Sequence, residues 1–368
     1  MHSRTASSDP DVALVWARFS EVLLGEDFGG HPYWRALAAP AACRVRKLMA
    51  PSREYDHAHV MSRRLLAVHQ AIKTALPADI LGPAVDPGLF FQAWLSLRTR
   101  AFHTGDGSVL VPVVDFFNHS GSPGAAWSWD EEAAAMIVTA TRAHAVGEHV
   151  CISYGLRPNP LLLRTYGFTL PPESEPSWAF VLQGKKPREL YNRYLPRRYA
   201  ELNIHFDSVT IQNSLIDALN GCYELRHAED ARRDARNFLV ELCTHFRAEY
   251  EADPLLQAPL AALRRVRLED PCSGAWWEAA HLFADVEEAV GSAEEAAWAQ
   301  SCVRIKMSEY LCLTVHIEAA QLGLGTVAEE GCLRNAAHLR ALLLDAFEVL
   351  ESVGIFQCTT VTTAAAIG

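Results

Sequence analysis

The chain has 368 residues, of which half are hydrophobic and 21% are charged, and this composition argues against a disordered protein. Its formal net charge of −11 disfavours nucleic acid as a partner, because such binders normally carry a basic face. No run approaches the ~20 apolar residues of a membrane span. Nine cysteines without a Cys-x-x-Cys pair argue against a structural zinc site and favour reduced thiols. The composition predicts an intracellular protein, in the cytoplasm, the nucleus or an organelle, without membrane or nucleic-acid partners.

The first third of the chain has a helical pattern. Residues 1–10 are predicted to form a loose tail, and residues 12–77 carry apolar side chains at helical spacing, as at Leu65, Val68 and Ile72. Prolines and glycines near Pro83 and Pro87 then interrupt the pattern. We expect mainly helices up to about residue 95.

Residues 108–154 change to short β-branched runs separated by turn residues, which predicts a small, irregular β region. The run Val109–Val114 is predicted to be a strand buried on both faces or close to it. Asp115, Asn118 and His119 follow it directly. Unpaired polar groups in such a place each cost about 1–3 kcal/mol, so they either find partners inside the fold or face a ligand. Asp115 and His119 are four residues apart and could form a metal pair, although a third ligand is missing.

After residue 172 the pattern is again helical. Apolar residues recur at spacings of three and four, which predicts amphipathic helices. These residues are Leu239, Leu242, Cys243, Phe246 and Tyr250, then Trp298, Cys302, Ile305, Cys312 and Val315, then Leu339, Leu342, Leu343, Phe347 and Leu350. We therefore predict a separate all-α domain over residues 176–368.

Four motifs follow one another in the middle third. They read Thr-Arg-Ala-Phe, Asp-x-x-Asn-His, Gly-Glu-x-x-x-Ile-x-Tyr-Gly and Asn-x-Leu-Leu ending in Tyr-Gly-Phe. They occupy residues 99–102, 115–119, 147–155 and 159–168. In this order they resemble the SET-domain protein methyltransferases, in particular the branch typified by the Rubisco large-subunit lysine methyltransferase. The resemblance implies an α+β fold: a SET domain over residues 11–175, with small sheets, a pseudoknot and a helical insert over about 11–95, followed by the helical domain as a substrate-binding domain.

The same resemblance implies a function and a set of site residues. S-adenosyl-L-methionine would be the cofactor, a lysine of a protein substrate would be the acceptor, and no metal would take part. Tyr154 would be the catalytic residue, since its hydroxyl can orient the amine and contact the methyl group. Arg100 would bind the carboxylate of the cofactor. The other cofactor-binding residues would be Asn118, His119 and Phe168. The substrate would be bound by Phe102, Asp115, Ile152 and Tyr166.

One feature of the resemblance is missing. SET domains usually open with a strand pair bearing a Gly-x-Gly turn that meets the cofactor, and we do not find it upstream of Pro32-Tyr33. We therefore expect the N-terminal SET strand to be absent from this chain. Two alternatives stay open. One is a non-catalytic SET-like protein-binding module or a truncated fragment, and the other is a protein-histidine methyltransferase. The oligomeric state is not predicted.

Overall fold

The computed structural model describes residues 10–38, 44–76, 86–104, 107–171, 174–175, 178–182, 187–194, 204–207, 228–261 and 293–321. Contacts divide these residues into two compact units. The first holds the described residues up to 175 together with 293–308, and the second holds the described residues of 178–261 and 309–321. No described helix has both the length and the apolar character that a membrane crossing requires.

Helices dominate the first part of the first unit, as the sequence pattern predicts. They are α1 (Pro10–Gly25), α2 (Pro32–Ala38), α3 (Arg44–Met49), α4 (Glu54–Ala75) and α5 (Pro87–Arg100). The start of α5 has a clear local cause: the carboxylate of Asp86 accepts a 2.7 Å hydrogen bond from the Leu89 amide, and Pro87 occupies the first turn. Helix α5 ends at Arg100, where the chain becomes extended.

Short strands follow α5. They are β1 (Phe102–Thr104), β2 (Gly107–Val109), β3 (Asn118–His119), β4 (Ala125–Asp130), β5 (Ala135–Ala140) and β6 (Cys151–Ile152). The pairs β1–β2 and β4–β5 are antiparallel, whereas β3 and β6 are parallel. Helix α6 (Asn159–Tyr166) comes next. This order matches the predicted small, irregular β region.

The strand predicted over Val109–Val114 is wrong beyond its first residue. Strand β2 ends at Val109, and a 3-10 helix spans Val114–Phe116. Pro112 has no amide hydrogen for a ladder, and Val113 takes a left-handed φ of 78°. The Asp115 amide then bonds back to the Val111 carbonyl at 3.2 Å. The chain therefore turns where an uninterrupted apolar run suggested an extended strand.

One hydrophobic cluster holds the first unit together. Helices α2, α4, α5 and α6 pack against one another around it. Helix α9 (Ala293–Gln321) adds Trp298, Cys302 and Ile305 to the cluster, which shows that a distant segment completes this core. The cluster also contains Phe28, Tyr33, Ala36, Met49, Tyr55, Ala58, Leu65, Phe91, Leu95 and Leu163.

The second unit contains helices and one small sheet. Strands β7 (Ala179–Leu182) and β8 (Ile204–Asp207) pair in antiparallel fashion, and α7 (Arg188–Tyr194) packs on α8 (Ala228–Glu251). A 3-10 helix follows at Pro254–Leu256. The β7–β8 pair corrects the prediction of a purely helical domain: both segments are short and rich in aromatic and branched side chains, which favour strands. The apolar positions predicted on α8 are all buried, namely Leu239, Leu242, Cys243, Phe246 and Tyr250. The predicted helix at 339–350 lies outside the described residues.

Candidate active site

Strands β3 and β6 bring two of the sequence motifs together. Asn118 pairs with Cys151, and His119 pairs with Ile152. The Ser120 amide extends this pairing by donating a 3.1 Å hydrogen bond to the Ile152 carbonyl. The Asn-His segment and the segment that leads to Tyr154 are therefore neighbours, although more than thirty residues separate them in the chain.

Tyr154 is fixed at both ends. Its backbone amide donates to Nδ1 of His119 at 3.0 Å, and its hydroxyl donates to the Phe117 carbonyl at 2.7 Å. Burial raises the pKa of the Tyr154 hydroxyl to about 12. The side chain is therefore a neutral phenol near neutral pH, with its proton directed at Phe117 and its oxygen lone pairs available as acceptors.

Four rings form what we call the aromatic cluster: His119, Tyr154, Tyr166 and Phe168. The rings of His119 and Tyr154 are stacked with centroids 5.1 Å apart, and the centroids of Tyr154 and Tyr166 are 4.7 Å apart. The ring centroid of Phe168 lies 6.0 Å from that of His119 and 6.1 Å from that of Tyr166. The cluster thus unites three of the sequence motifs and contains four of the predicted site residues.

The turn between Tyr166 and Phe168 depends on a glycine. Gly167 follows the last residue of helix α6 and has a φ of 84°. This value lies in the left-handed region, which residues with a Cβ rarely adopt. A Cβ on Gly167 would also lie 2.9 Å from Cδ2 of His31. Two separate restrictions therefore require glycine between these two rings.

His119 is a neutral imidazole with a defined tautomer. Burial lowers its pKa, and the Tyr154 amide needs a lone pair on Nδ1, which assigns the proton to Nε2. Nε2 is buried and has no hydrogen-bond partner among the residues that the structure describes. Asn118, next to it, has an exposed side chain. The polar end of this strand pair therefore keeps unused hydrogen-bonding groups.

Helix α6, which carries Tyr166, is anchored by a buried network. The Asn159 side chain donates to the Leu170 carbonyl at 3.0 Å and accepts from the Leu170 amide at 2.6 Å. The Asn159 amide and the Ser308 hydroxyl both donate to Oε1 of Glu175, each at 2.7 Å. Burial raises the pKa of Glu175 to about 8. The sequence motif identified Asn159, whereas no pattern pointed to Glu175.

Arg100 lies at the end of α5 between two carboxylates. Its Nε donates to Oε2 of Glu26 at 2.9 Å, and its Nη1 donates to the carbonyl and to Oδ2 of Asp115 at 3.1 and 3.0 Å. The Asp115 side chain is completely buried, and its Oδ1 has no partner among the described residues. Burial raises the pKa of Asp115, and the Arg100 guanidinium opposes that rise. We call Arg100, Glu26 and Asp115 the arginine cluster.

The arginine cluster and the aromatic cluster are electrostatically coupled. Besides burial, the charges of Arg100 and Asp115 affect the pKa of Tyr154, in opposite directions. Sequence reasoning identified Arg100 and Asp115 but missed Glu26. Glu26 belongs to no motif and lies 74 positions from Arg100, so only the fold brings the two together.

Two predicted site residues lie beside the aromatic cluster rather than within it. The ring of Phe102 packs edge-on against Trp127 at 5.2 Å, and Nε1 of Trp127 donates to the Ser153 carbonyl at 3.3 Å. Ile152 is completely buried, which leaves its backbone as the part that can face a ligand. Neither residue forms a ring contact with the aromatic cluster in the described part of the chain.

The structure offers no third ligand for a metal site at Asp115 and His119 among the residues that it describes. Among the described residues, no group of three or more His, Cys, Asp and Glu side chains could hold a metal ion. Asp115 instead directs one carboxylate oxygen at Arg100, and Nδ1 of His119 accepts from a backbone amide.

Comparisons with known proteins bear on the fold of the chain. The family model "SET domain" matches residues 23–155. A curated relative, "Ribosomal lysine N-methyltransferase set11" of Schizosaccharomyces pombe, is 31% identical over 94 residues, which are 24% of this chain. That match spans only about a quarter of the relative's length, 24%.

A solved structure extends the comparison to the fold. The crystal structure of the SET domain of LSMT bound to lysine and AdoHcy is similar with a TM-score of 0.51 and 15% sequence identity. The similarity covers 95% of this chain and 83% of that one. Together with the family model, this likeness confirms the α+β fold that the four motifs predict. The protein therefore has a SET-domain fold, and its family match extends from residue 23 to the Tyr154-Gly155 motif.

Proposed function

We propose that the protein is an S-adenosyl-L-methionine-dependent methyltransferase that modifies lysine side chains of a protein substrate. The observation that carries the proposal is the position of Tyr154, whose hydroxyl is fixed by the Phe117 carbonyl inside the aromatic cluster. The names of the compared proteins support the same reading, since one is a ribosomal lysine N-methyltransferase and another is a SET domain bound to lysine and AdoHcy.

The residues that would hold the cofactor fit its chemistry. Arg100 offers a charged donor for a carboxylate, and the exposed amide of Asn118 can pair with a nucleoside. Nε2 of His119, which lacks a partner among the described residues, is of the kind that a bound ligand satisfies. Phe168 offers an aromatic face beside His119. When bound, S-adenosylmethionine would supply a methyl group made electrophilic by its sulfonium sulfur.

The chain's own contribution is orientation and exclusion of water. A raised pKa keeps the Tyr154 phenol neutral, so it does not act as a tyrosinate base near pH 7. Its oxygen can accept a hydrogen bond from the neutral amine and hold it in line for attack. Tyr166, with its ring 4.7 Å away, forms an aromatic wall that suits a cationic side chain before it loses its proton to water.

Calorimetry with S-adenosylhomocysteine tests the proposal against the non-catalytic alternative. We expect the 368-residue chain to bind this product with a micromolar dissociation constant. A protein-binding module that has lost the cofactor site would release no heat. The acceptor is tested by sequencing the methylated peptides of a cell extract: methyl-lysine supports the proposal, and methyl groups on histidine alone would contradict the lysine assignment.

A further inference from the structure

Glu26 is positioned beside Arg100 by the same helix that carries Arg100. It follows α1, and Nε2 of Gln92 on α5 donates to the Glu26 carbonyl at 3.0 Å. One turn further along α5, the Ser96 hydroxyl donates to the Leu23 carbonyl at 2.8 Å. The end of α1 is therefore tied to α5 by side chains, and the Glu26 carboxylate is brought to the guanidinium at 2.9 Å.

Both partners of this ion pair keep unused hydrogen-bonding groups. Glu26 engages Arg100 through Oε2 alone, and no described residue donates to its Oε1. Arg100 uses Nε and Nη1, and no described residue accepts from its Nη2. The Glu26 side chain is 31% exposed, whereas that of Asp115 is 0% exposed. Glu26 is thus the carboxylate of the arginine cluster that a ligand can reach, next to a free guanidinium donor.

The charges of the arginine cluster favour a ligand that carries both a positive and a negative charge. Two carboxylates surround one guanidinium, so a ligand with a carboxylate alone would meet negative charge beside its only cationic partner. An α-amino acid group has a carboxylate for Arg100 and an ammonium for a carboxylate. Oδ1 of Asp115 has no donor among the described residues, so the negative charge of the cluster is only partly compensated by Arg100.

We propose that Glu26 binds the α-ammonium group of the cofactor's amino acid end, while Arg100 binds the α-carboxylate beside it. The inference rests on the proposed function, because it names how the proposed cofactor is recognised. It assigns to a residue outside all four sequence motifs a direct role in cofactor affinity.

The test compares two ligands on two proteins. One ligand is S-adenosylhomocysteine, and the other is its deaminated analogue, which keeps the carboxylate but lacks the ammonium. Affinities for the wild type and for Glu26→Gln are measured by displacement of labelled S-adenosylhomocysteine. We expect Glu26→Gln to bind S-adenosylhomocysteine about tenfold more weakly, and to bind the deaminated analogue at least as well as the wild type does, because one negative charge beside its carboxylate is gone.

Glu21→Gln is the matched control, because Glu21 lies on the exposed side of α1 and pairs with Arg18. It should leave both affinities unchanged. Equal weakening of both ligands by Glu26→Gln would overturn the inference, since Glu26 would then act only by holding Arg100. Unchanged or tighter binding of S-adenosylhomocysteine would overturn it as well. A wild type that binds no S-adenosylhomocysteine would instead contradict the proposed function, and the inference with it.

Discussion

The hydroxyl of Tyr154 donates a 2.7 Å hydrogen bond to the backbone carbonyl of Phe117. Phe117 directly precedes the Asn118-His119 pair, and the Tyr154 amide bonds to the side chain of that His119 at 3.0 Å. Each motif therefore holds the other. The phenol oxygen is fixed in place before any substrate arrives, which is what an orienting group requires.

Removing this hydroxyl should impair turnover far more than cofactor binding. In Tyr154→Phe the backbone bond to His119 and the ring contacts with Tyr166 remain, so the proposed cofactor site keeps its shape. We expect the methyl transfer rate to fall about 100-fold, because the amine loses its orienting acceptor. Binding of S-adenosylhomocysteine, measured by calorimetry, should change by less than about 1 kcal/mol.

Tyr194→Phe provides the matched control for that experiment. It also removes a tyrosine hydroxyl with a 2.7 Å hydrogen bond, here to Glu241 in the second unit. We expect it to keep the wild-type rate. Equal turnover of Tyr154→Phe and Tyr194→Phe would remove Tyr154 from its assigned role.

Gly167→Ala should destabilise the protein. The left-handed φ of 84° costs a residue with a Cβ about 1–2 kcal/mol, and the new methyl would press on the ring of His31 at 2.9 Å. Urea denaturation should show a loss in unfolding free energy of at least that size. Gly25→Ala is the control, because a Cβ there meets no atom within 4 Å. Equal stability of the two variants would contradict the account of the turn at Gly167.

Much of this architecture follows from local patterns. The apolar spacing of residues 60–72 predicts α4, and the resemblance carried by the four motifs places Tyr154 and His119 in one site. The strand expected over Val109–Val114 is wrong because hydrophobicity alone does not take two backbone features into account. Pro112 lacks the amide hydrogen that a strand pairing needs, and Val113 has a left-handed φ of 78°. Glu26 could not be predicted, because its partner lies 74 positions away and the fold alone brings them together.

The buried Glu175 should make stability depend on pH. Its pKa rises from 4.5 to about 8 in the folded protein. Between pH 4.5 and about pH 8, Glu175 keeps its proton in the folded state and releases it in the unfolded state. The contribution of Glu175 to stability is therefore fully present below about pH 4.5 and is lost as the pH rises through about 8.

Glu175→Gln isolates this effect. The amide oxygen can still accept from the Asn159 amide and the Ser308 hydroxyl, but it does not titrate. The difference in unfolding free energy, variant minus wild type, should become more positive from about pH 5 to about pH 9. A difference that stays constant or falls over this range would show that Glu175 does not titrate as its burial requires.

Transfer of a labelled methyl group tests the proposed lysine methylation itself. The purified chain is incubated with S-adenosylmethionine labelled in the methyl group and with a protein extract, and the labelled peptides are sequenced. We expect the wild type to label lysine side chains, and Tyr154→Phe to do so about 100-fold more slowly. Binding of S-adenosylhomocysteine without any label on protein lysines would contradict the assignment of this site to lysine methylation.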